Sequence, residues 1–361
     1  MRVVVVTPDY PPARGGIQRL LGELVKRADW QSLVVTGDHP EALDGVRTHR
    51  VKVIPGAGKA STALLNAVAV QRGRGWRPDA VLSGHIAVSP GATVLGRALH
   101  VPVVQYVYAK ELTSRPRVAR FALARAAATI AISDHTAGLA IEAGAPASRI
   151  VKIVPGVDSV AVGPSATPAR RPTILTVARL TDRYKGFDVM LRALPLVRSR
   201  VPDVQWVVIG DGELRAELEA AAAWDLSDTV HFAGTVIDAR RDALFGSAHV
   251  FAMPSRVPAD GGGEGYGLVY LEAGARGLPC VAGDRGAVAE AVVHGETGLL
   301  VDGHDHVDLA DALVDLLSDP PRAARLGQAG RARAHELSWD RMARQVERVF
   351  DDAVAAWPRH R

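Results

Sequence analysis

MRVVVVTPDYPPARGGIQRLLGELVKRA, residues 1–28, contains the pattern that predicts the fold of this chain. Val3–Val6 are four β-branched residues in a row, as in a parallel strand buried on both faces. A loop with three prolines and the pair Gly15-Gly16 follows, and from Ile17 onward apolar residues recur at helical spacing. The stretch therefore predicts a strand, a loop and a helix, in that order.

The same unit recurs along the chain in two series of apolar strands. The first series comprises Val3–Val6, Leu33–Thr36, Ala80–Leu82, Val101–Val107, Thr129–Ile132 and Ile150–Val154. The second comprises Thr173–Val177, Gln205–Ile209, Val230–Phe232, Val250–Met253, Cys280–Ala282 and Gly298–Val301. Helical patterns lie between the strands, and this alternation predicts α/β architecture with doubly wound parallel sheets.

The two series indicate two domains, because 361 residues exceed the size at which a single core usually stops growing. Residues 158–172 have the Pro, Gly and Ala content of a linker. We expect an amino-terminal domain over residues 1–160 and a carboxy-terminal domain over residues 172–339, facing each other across a cleft. A last helix, at about 340–361, is expected to pack back on the first domain.

The composition excludes several classes of protein. A net charge of +4 is compatible with anionic ligands or an anionic membrane surface, but no Lys/Arg block indicates nucleic-acid binding. Cys280 is the only cysteine, which rules out an internal disulfide or a cysteine-based zinc site and suits a reducing cytoplasm. The apolar run at the start is too short for a signal peptide, and no run is long enough to span a membrane. We expect a cytoplasmic protein.

Two glutamates stand in the glycine-rich run Gly261–Ala273. If a helix begins at Leu268, Glu272 lies one turn into it and Glu264 lies on the loop before it, near N–H groups that attract anions. Carboxylates beside an anion site suit a ligand with phosphates and many hydroxyls, such as a nucleotide sugar. Taken alone, the segment is equally explained by a first-turn glutamate that stabilises a helix.

A second polar loop, Arg179–Gly186, directly follows the strand Thr173–Val177. Arg179 and Lys185 lie at its two ends. Arginine supplies a forked donor and lysine a compact cation, and the two together before a helix suit the binding of a diphosphate. Solvated surface charge is the alternative explanation. Two glycine-containing turns also follow strands, Gly15-Gly16 and Gly210-Asp211-Gly212. Their glycines would let the main chain approach a ligand, although plain turns explain them as well.

Further polar residues follow strands of the first series. His85 follows Ala80–Leu82, and Tyr108 and Glu111 follow Val101–Val107. A lone histidine is more often structural than catalytic, so both roles stay open for His85. The spacing of the acidic and histidine residues predicts no metal site, and the sequence contains no Gly-x-Ser-x-Gly element.

Together these segments resemble the retaining GT-B glycosyltransferases of family four, over nearly the whole chain. The matching segments are Thr7–Gln18, Pro155–Asp158, Arg179–Gly186, Gly210–Gly212, Met253–Arg256, Glu264–Glu272 and Ser338–Trp339. The resemblance implies two facing Rossmann-like domains, with the nucleotide-diphosphate sugar bound mainly by the second. It also implies retention of anomeric configuration, with the leaving phosphate helping to deprotonate the acceptor, and no metal or other cofactor.

The resemblance further implies roles for single residues. Arg179 and Lys185 would neutralise the departing diphosphate, Glu264 would hold sugar hydroxyls, and Glu272 would hold the ribose. From its position after a strand, His85 is a further candidate catalytic residue. The residues expected to bind the sugar donor or acceptor are Gly15, Gly16, Tyr108, Glu111, Gly210, Gly212, Val236, Gly265, Tyr266, Gly267, Leu268 and Glu272.

Within that family the chain is similar to actinobacterial phosphatidylinositol-mannoside mannosyltransferases, which use GDP-mannose. Two departures suggest a related enzyme with a different acceptor. Tyr108 stands where that subgroup has a histidine, and the Arg179–Lys185 loop is one residue longer than in that subgroup. The preferred function is hexose transfer to a lipid-linked or polyol acceptor. Ser61–Arg77 would then be a peripheral helix touching an anionic membrane, at its inner face, or else an ordinary amphipathic surface helix.

Three alternatives stay open. The first is a UDP-sugar-dependent transferase acting on a soluble aminocyclitol or another secondary metabolite. The second, prompted by Tyr108, is a nucleotide-sugar-binding protein without transferase activity. The third is a nicotinamide oxidoreductase, which the absence of a GxGxxG element disfavours.

Overall fold

A computed structural model describes residues 1–39, 48–51, 58–158 and 169–358. The chain divides into two compact units. Unit 1 contains Met1–Gly156, Asp260–Gly265 and Trp339–Arg361, and unit 2 contains Val157–Ala259 and Tyr266–Ser338. Most of the expected linker, residues 159–168, lies outside the described residues.

Unit 1 is built on a parallel sheet. Its strands are β1 (Arg2–Val6), β2 (Gln31–Gly37), β3 (Thr48–Val51), β4 (Ala80–Ser83), β5 (Val103–Val107), β6 (Ala128–Ala131) and β7 (Ile150–Lys152). The described strands are ordered β3-β2-β1-β4-β5-β6-β7. Val3–Val6 are completely buried, as a run of four valines predicts. β3 was not predicted, because three of its four residues are polar and it lies at the edge of the sheet.

Helices cover both faces of this sheet. They are α1 (Gly16–Arg27), α2 (Gly58–Trp76), α3 (Ser89–Leu99), α4 (Ala109–Ser114), α5 (Pro116–Leu123), α6 (Asp134–Glu142) and the carboxy-terminal α14 (Trp339–Ala356). α14 packs on α1, with Met342, Val346 and Phe350 buried. The ring of Trp30 lies 4.8 Å from that of Phe350. The apolar stripe of α14 therefore belongs to the core of unit 1.

Unit 2 repeats the architecture. Its strands are β8 (Thr173–Val177), β9 (Gln205–Ile209), β10 (Val230–Gly234), β11 (Val250–Met253), β12 (Cys280–Gly283) and β13 (Gly298–Val301). Its helices are α7 (Phe187–Arg200), α8 (Arg215–Ala223), α9 (Asp238–Ser247), α10 (Leu268–Ala275), α11 (Val288–Ala291), α12 (His306–Ser318) and α13 (Pro320–Glu336). The strands pair in parallel in the order β10-β9-β8-β11-β12-β13. The doubly wound parallel sheets predicted from the sequence are confirmed.

In each sheet the order in which successive strands are added reverses beside the first strand. The reversal lies between β1 and β4 in unit 1 and between β8 and β11 in unit 2. Ligands of open α/β sheets bind outside the carboxyl ends of the strands at such a reversal. The loops after β1 and β4 contain Gly15 and His85, and the loops after β8 and β11 contain Arg179 and Glu264. The topology thus places the predicted residues where binding sites form.

Candidate functional site

The cation loop, residues 178–186, connects β8 to α7. Its last part is a 3-10 turn, Arg183–Lys185, and Gly186 is the N-cap of α7 with φ 80°. A Cβ on Gly186 would lie 2.3 Å from the carbonyl oxygen of Pro254, so both the left-handed backbone and the close approach require glycine. This geometry brings the cations to the amino end of a helix, where exposed N–H groups attract anions.

The cations of this loop are not equivalent. Arg183 donates two hydrogen bonds, of 2.7 and 2.6 Å, to the two carboxylate oxygens of Glu217 on α8. This pairing raises the pKa of Arg183 and lowers the pKa of Glu217. Arg179 is exposed and makes no ion pair or hydrogen bond with another described residue. The Lys185 ammonium lies 5.4 Å from the ring centroid of Tyr184. The guanidinium of Arg183 is therefore occupied by Glu217 of α8, whereas that of Arg179 is available to a ligand.

The turn Gly210–Gly212 after β9 packs directly on the start of the cation loop. A Cβ on Gly210 would lie 1.8 Å from the Ala178 carbonyl oxygen, and one on Gly212 would lie 2.5 Å from that of Leu180. Close packing alone thus requires both glycines. Their contact with a ligand stays a prediction, as does that of Val236, which is half-buried after β10.

α10 begins at Leu268, where the sequence predicted it, behind a Gly267 N-cap with φ 87°. Glu272 lies one turn into the helix and is 8% exposed. Tyr266 is buried and donates its hydroxyl hydrogen to the carbonyl oxygen of Glu290, 3.4 Å away. Burial raises the pKa of the Tyr266 phenol. Tyr266 therefore braces the start of α10, while the expected ribose contact of Glu272 stays a prediction.

The acidic loop, residues 260–265, belongs to unit 1, although the sequence placed it in the second domain. Nε2 of His135 lies 3.1 Å from the carbonyl oxygen of Gly261. Thr136 Oγ1 donates to the carbonyl oxygen of Gly265, at 3.4 Å. Both side chains lie in the first turn of α6. His135 and Thr136 could not be predicted from the sequence, because their partners are main-chain carbonyls, which any residue type provides.

Glu264, the carboxylate of this loop, is half-buried. Gly265 beside it packs closely, since a Cβ there would lie 2.9 Å from Cδ1 of Ile132. The loop is thus held on both sides of Glu264 by contacts with α6 and with Ile132, which directly follows β6. The proximity of Glu264 to Arg179 and Lys185 stays a prediction.

The loop after β1 carries an ordered polar group. Gln18 donates from Nε2 to Oδ1 of Asp9, at 2.7 Å, and the Asp9 amide donates to Thr7 Oγ1, at 3.0 Å. Gly16 is exposed at the start of α1, and Gly15 directly precedes it. A Cβ on Gly15 would lie 2.2 Å from the amide oxygen of Gln18. The glycine pair therefore leaves room for the Asp9–Gln18 contact and for approach to the amino end of α1.

His85, after β4, forms a buried pair with Glu111. Nδ1 of His85 lies 2.9 Å from Oε2 of Glu111, which also accepts a 2.9 Å hydrogen bond from the Ile86 amide. Oε1 of Glu111 accepts from the Tyr108 amide, at 3.1 Å. Glu111 is 4% exposed, and both of its oxygens are occupied within unit 1. Its geometry thus suits holding His85 and the start of α4 better than touching a substrate.

The proton on His85 can be assigned from these contacts. Nδ1 also lies 3.0 Å from the Ala87 amide nitrogen, which requires an unprotonated Nδ1, whereas the Glu111 contact requires a protonated one. Pairing with a buried carboxylate is the stronger interaction, so we assign the proton to Nδ1. Burial lowers the pKa of His85, but Glu111 and, more weakly, Asp9 outweigh it, and the pKa is raised overall. The pairing with Glu111 therefore engages Nδ1 and not Nε2.

Tyr108 occupies the end of β5, and its side chain is buried. Its ring stacks on that of Tyr106, with centroids 5.8 Å apart. Both hydroxyl groups are buried without a hydrogen-bond partner among the described residues, and burial raises the pKa of both phenols. Tyr108 therefore fills space at the start of α4, where its amide donates to Glu111.

No group of three or more His, Cys, Asp and Glu side chains in the described ranges is arranged to hold a metal ion. Among the same residues, no helix has both the length and the apolar character needed to cross a bilayer.

Comparison with known proteins matches both halves of the chain to glycosyltransferase families. Residues 1–156 match the family described as Glycosyl transferase 4-like domain, and residues 171–319 match Glycosyl transferases group 1. The chain is 32% identical to the GDP-mannose-dependent alpha-(1-6)-phosphatidylinositol monomannoside mannosyltransferase of Mycobacterium tuberculosis (strain ATCC 25618 / H37Rv), over 98% of this chain and 99% of the relative. It is 36% identical to the D-inositol 3-phosphate glycosyltransferase of Pseudarthrobacter chlorophenolicus, over 62% of this chain and 54% of the relative.

Solved structures share the fold. Sucrose-phosphate synthase from Thermosynechococcus elongatus superposes with a TM-score of 0.85 at 22% identity, covering 98% of this chain and 99% of the other. Anabaena HepE in complex with UDP and glucose superposes with a TM-score of 0.81 at 21% identity, covering 98% of this chain and all of the other. The neighbours are thus glycosyltransferase folds of the same size.

Proposed function

The chain belongs to the group 1 glycosyltransferases, and from this membership we propose that it transfers mannose from GDP-mannose to a hydroxyl of a lipid-linked acceptor, with retention of configuration. Membership of this family makes the chain a glycosyltransferase that uses a nucleotide-sugar donor. The choice of donor and acceptor rests on the relatives of nearly equal length, which are named for GDP-mannose and phosphatidylinositol mannoside.

The proposal is supported chiefly by the different pairing of the cations in the cation loop. Glu217 neutralises Arg183, so Arg179 and Lys185 are the cations that would take up the charge of the departing diphosphate. The amino end of α7 lies beside them and adds its dipole. Charge stabilisation of this kind acts most strongly where charge develops in the transition state, and it needs no metal ion.

On the acceptor side we assign the attacking hydroxyl to the surroundings of His85 Nε2. The leaving phosphate oxygen would take the proton of that hydroxyl as the new bond forms on the same face of the sugar. His85, kept protonated on Nδ1 by Glu111, would orient the sugar or acceptor through Nε2. Glu264 would accept hydrogen bonds from sugar hydroxyls.

A lipid acceptor is supported by the charge of Met1–Gly156, the amino-terminal segment of unit 1. Residues 1–156 contain 20 Lys and Arg against 10 Asp and Glu, whereas the remaining residues contain 23 against 29. α2, α3 and α5 contain no acidic residue, and α3 packs against both of the others. Their exposed side chains include five arginines, Arg72, Arg74, Arg97, Arg117 and Arg120, and two apolar residues, Leu64 and Val94. Such a helical layer is suited to an anionic membrane surface.

A second candidate is transfer to a soluble polyol phosphate. It is favoured by the similarity to D-inositol 3-phosphate glycosyltransferases, which are more identical but over a shorter stretch. The same cationic layer would not be required for such an acceptor. Vesicle binding therefore separates the two candidates.

The test is a donor and acceptor matrix with the purified full-length protein. GDP should raise the melting temperature more than UDP or ADP, because a ligand that binds only the folded state stabilises it. Mannose should pass from GDP-mannose to phosphatidylinositol mannoside in the presence of EDTA, and NMR of the product should show an α linkage. Transfer only to a soluble inositol phosphate would support the second candidate, and no transfer with any donor that binds would refute both.

A further inference from the structure

We propose that Arg256 is a positioning residue, which holds the turn Arg183–Lys185 so that Lys185 meets the sugar-donor diphosphate. The proposal rests on the proposed function. Arg256 follows β11, the strand next to β8, and its side chain is only 15% exposed.

Arg256 contacts the turn through its main chain and its side chain. Its amide donates to the carbonyl oxygen of Tyr184, at 2.7 Å, and its Nη2 donates to that of Arg183, also at 2.7 Å. The two carbonyls directly before Lys185 are thus fixed by one residue. Since the carbonyls orient the peptide planes, this fixes the direction in which the chain enters Lys185.

The same guanidinium reaches α7 on the other side of Lys185. Nη1 and Nη2 donate to the two carboxylate oxygens of Asp188, at 3.0 and 2.8 Å, in a bidentate pair. Asp188 lies in the first turn of α7, where its negative charge would otherwise repel a diphosphate. Arg256 therefore both braces the turn and cancels an anion beside the proposed anion site.

These contacts distinguish Arg256 from a ligand-binding cation. Its guanidinium is already occupied by a carboxylate and a carbonyl. Its stem is enclosed, because a Cβ on Gly303 would lie 2.9 Å from its Cγ. Lysine lacks the planar fork, so it cannot reproduce the three contacts together.

The experiment is a double-mutant cycle between Arg256→Gln and Lys185→Ala in the full-length enzyme, with GDP-mannose as donor. Arg256→Gln should lower kcat/KM about tenfold or more in the wild-type background and less than about twofold in the Lys185→Ala background, since both changes disable the same contact. GDP affinity should fall, whereas guanosine affinity should not change. The proposal would be overturned if Arg256→Gln lowered kcat/KM by the same factor in both backgrounds. It would also be overturned if the affinities for GDP and guanosine fell equally.

The control is Arg200→Gln, which removes an arginine paired with Asp311 at 2.7 Å, at the far end of α7 and more exposed than Arg256. It should leave kcat/KM unchanged. If Arg256→Gln does not fold, Arg256→Lys keeps the positive charge but lacks the planar fork, and it should show the same pattern with a smaller loss. A wild-type enzyme that binds no nucleoside diphosphate would refute the proposed function itself, whereas an active enzyme indifferent to both variants would refute only the role of Arg256.

Discussion

His85 Nδ1 and Glu111 Oε2 lie 2.9 Å apart inside unit 1, and this pair joins the loop after β4 to the start of α4. Two elements that are separated in sequence by all of α3 and β5 thus share one buried carboxylate. The relationship makes Glu111 a support for His85, and it leads to a testable pH dependence.

Glu111→Gln should lower the pKa of His85, which an NMR titration of its ring protons would measure. The folded-state pKa is raised above the ordinary value of 6.5 by Glu111 and Asp9, against burial and Arg115. The pair therefore stabilises the fold fully below about pH 6.5, and this contribution is lost as the pH rises through the raised value. The variant should lose about 2–4 kcal/mol of unfolding free energy at pH 6, because a buried charge pair is broken. An unchanged His85 pKa would contradict the pairing.

Arg179→Ala and Arg183→Ala should differ sharply in activity. Loss of the available Arg179 should lower kcat about 100-fold or more, since a cation facing a departing diphosphate acts in the transition state. Loss of Arg183 should change kcat less than about threefold, because an exposed ion pair is weakly coupled to its surroundings. Steady-state kinetics with GDP-mannose measures both, and equal losses would contradict the assignment.

Gly186→Ala should destabilise unit 2 and disable the cation loop. The left-handed φ of 80° costs about 1 kcal/mol for alanine, and the approach to the Pro254 carbonyl oxygen adds a clash of a further 1–3 kcal/mol or so. Gly295→Ala is the matched control, because Gly295 has φ 74° but nothing within 4 Å of an added Cβ. Urea unfolding should show only the smaller loss for the control.

Tyr108→Phe should keep both stability and activity. Its hydroxyl is buried without a partner among the described residues, so its removal relieves a desolvation cost of about 1 kcal/mol and breaks no hydrogen bond. Urea unfolding and kcat/KM measure the two quantities. A tenfold fall in kcat with normal stability would instead show that the phenol takes part in the reaction.

Arg72→Ser/Arg74→Ser and Arg117→Ser/Arg120→Ser should each weaken binding to vesicles of phosphatidylcholine with phosphatidylinositol about tenfold or more, because each cation near an anionic surface contributes to binding. Co-sedimentation at low and high salt measures it. The control Arg198→Ser/Arg200→Ser removes two arginines of unit 2 that are paired with Asp225 and Asp311. A control that weakens binding equally would exclude the helical layer as the membrane surface.

The sequence predicted strands and helices well where side-chain pattern decides them. The valines of β1 and the start of α10 at Leu268 are examples, since burial of a continuous apolar run and a left-handed glycine cap are local properties. The edge strand β3 was missed because its polar residues carry no such pattern. Residue type and position after a strand selected the candidate cations Arg179 and Lys185 and the carboxylate Glu264, and the resemblance to a known family gave them roles.

By itself the sequence determined the two doubly wound sheets and the loops in which a ligand would be bound, because periodicity and strand-end position are written in residue order. Tertiary structure alone decided that Arg183 is neutralised by Glu217, that Glu111 holds His85, and that Arg256 closes on the turn before Lys185. The reason is physical. A charge acts according to which other charges and carbonyls lie within a few ångströms of it, and those neighbours come from distant parts of the chain.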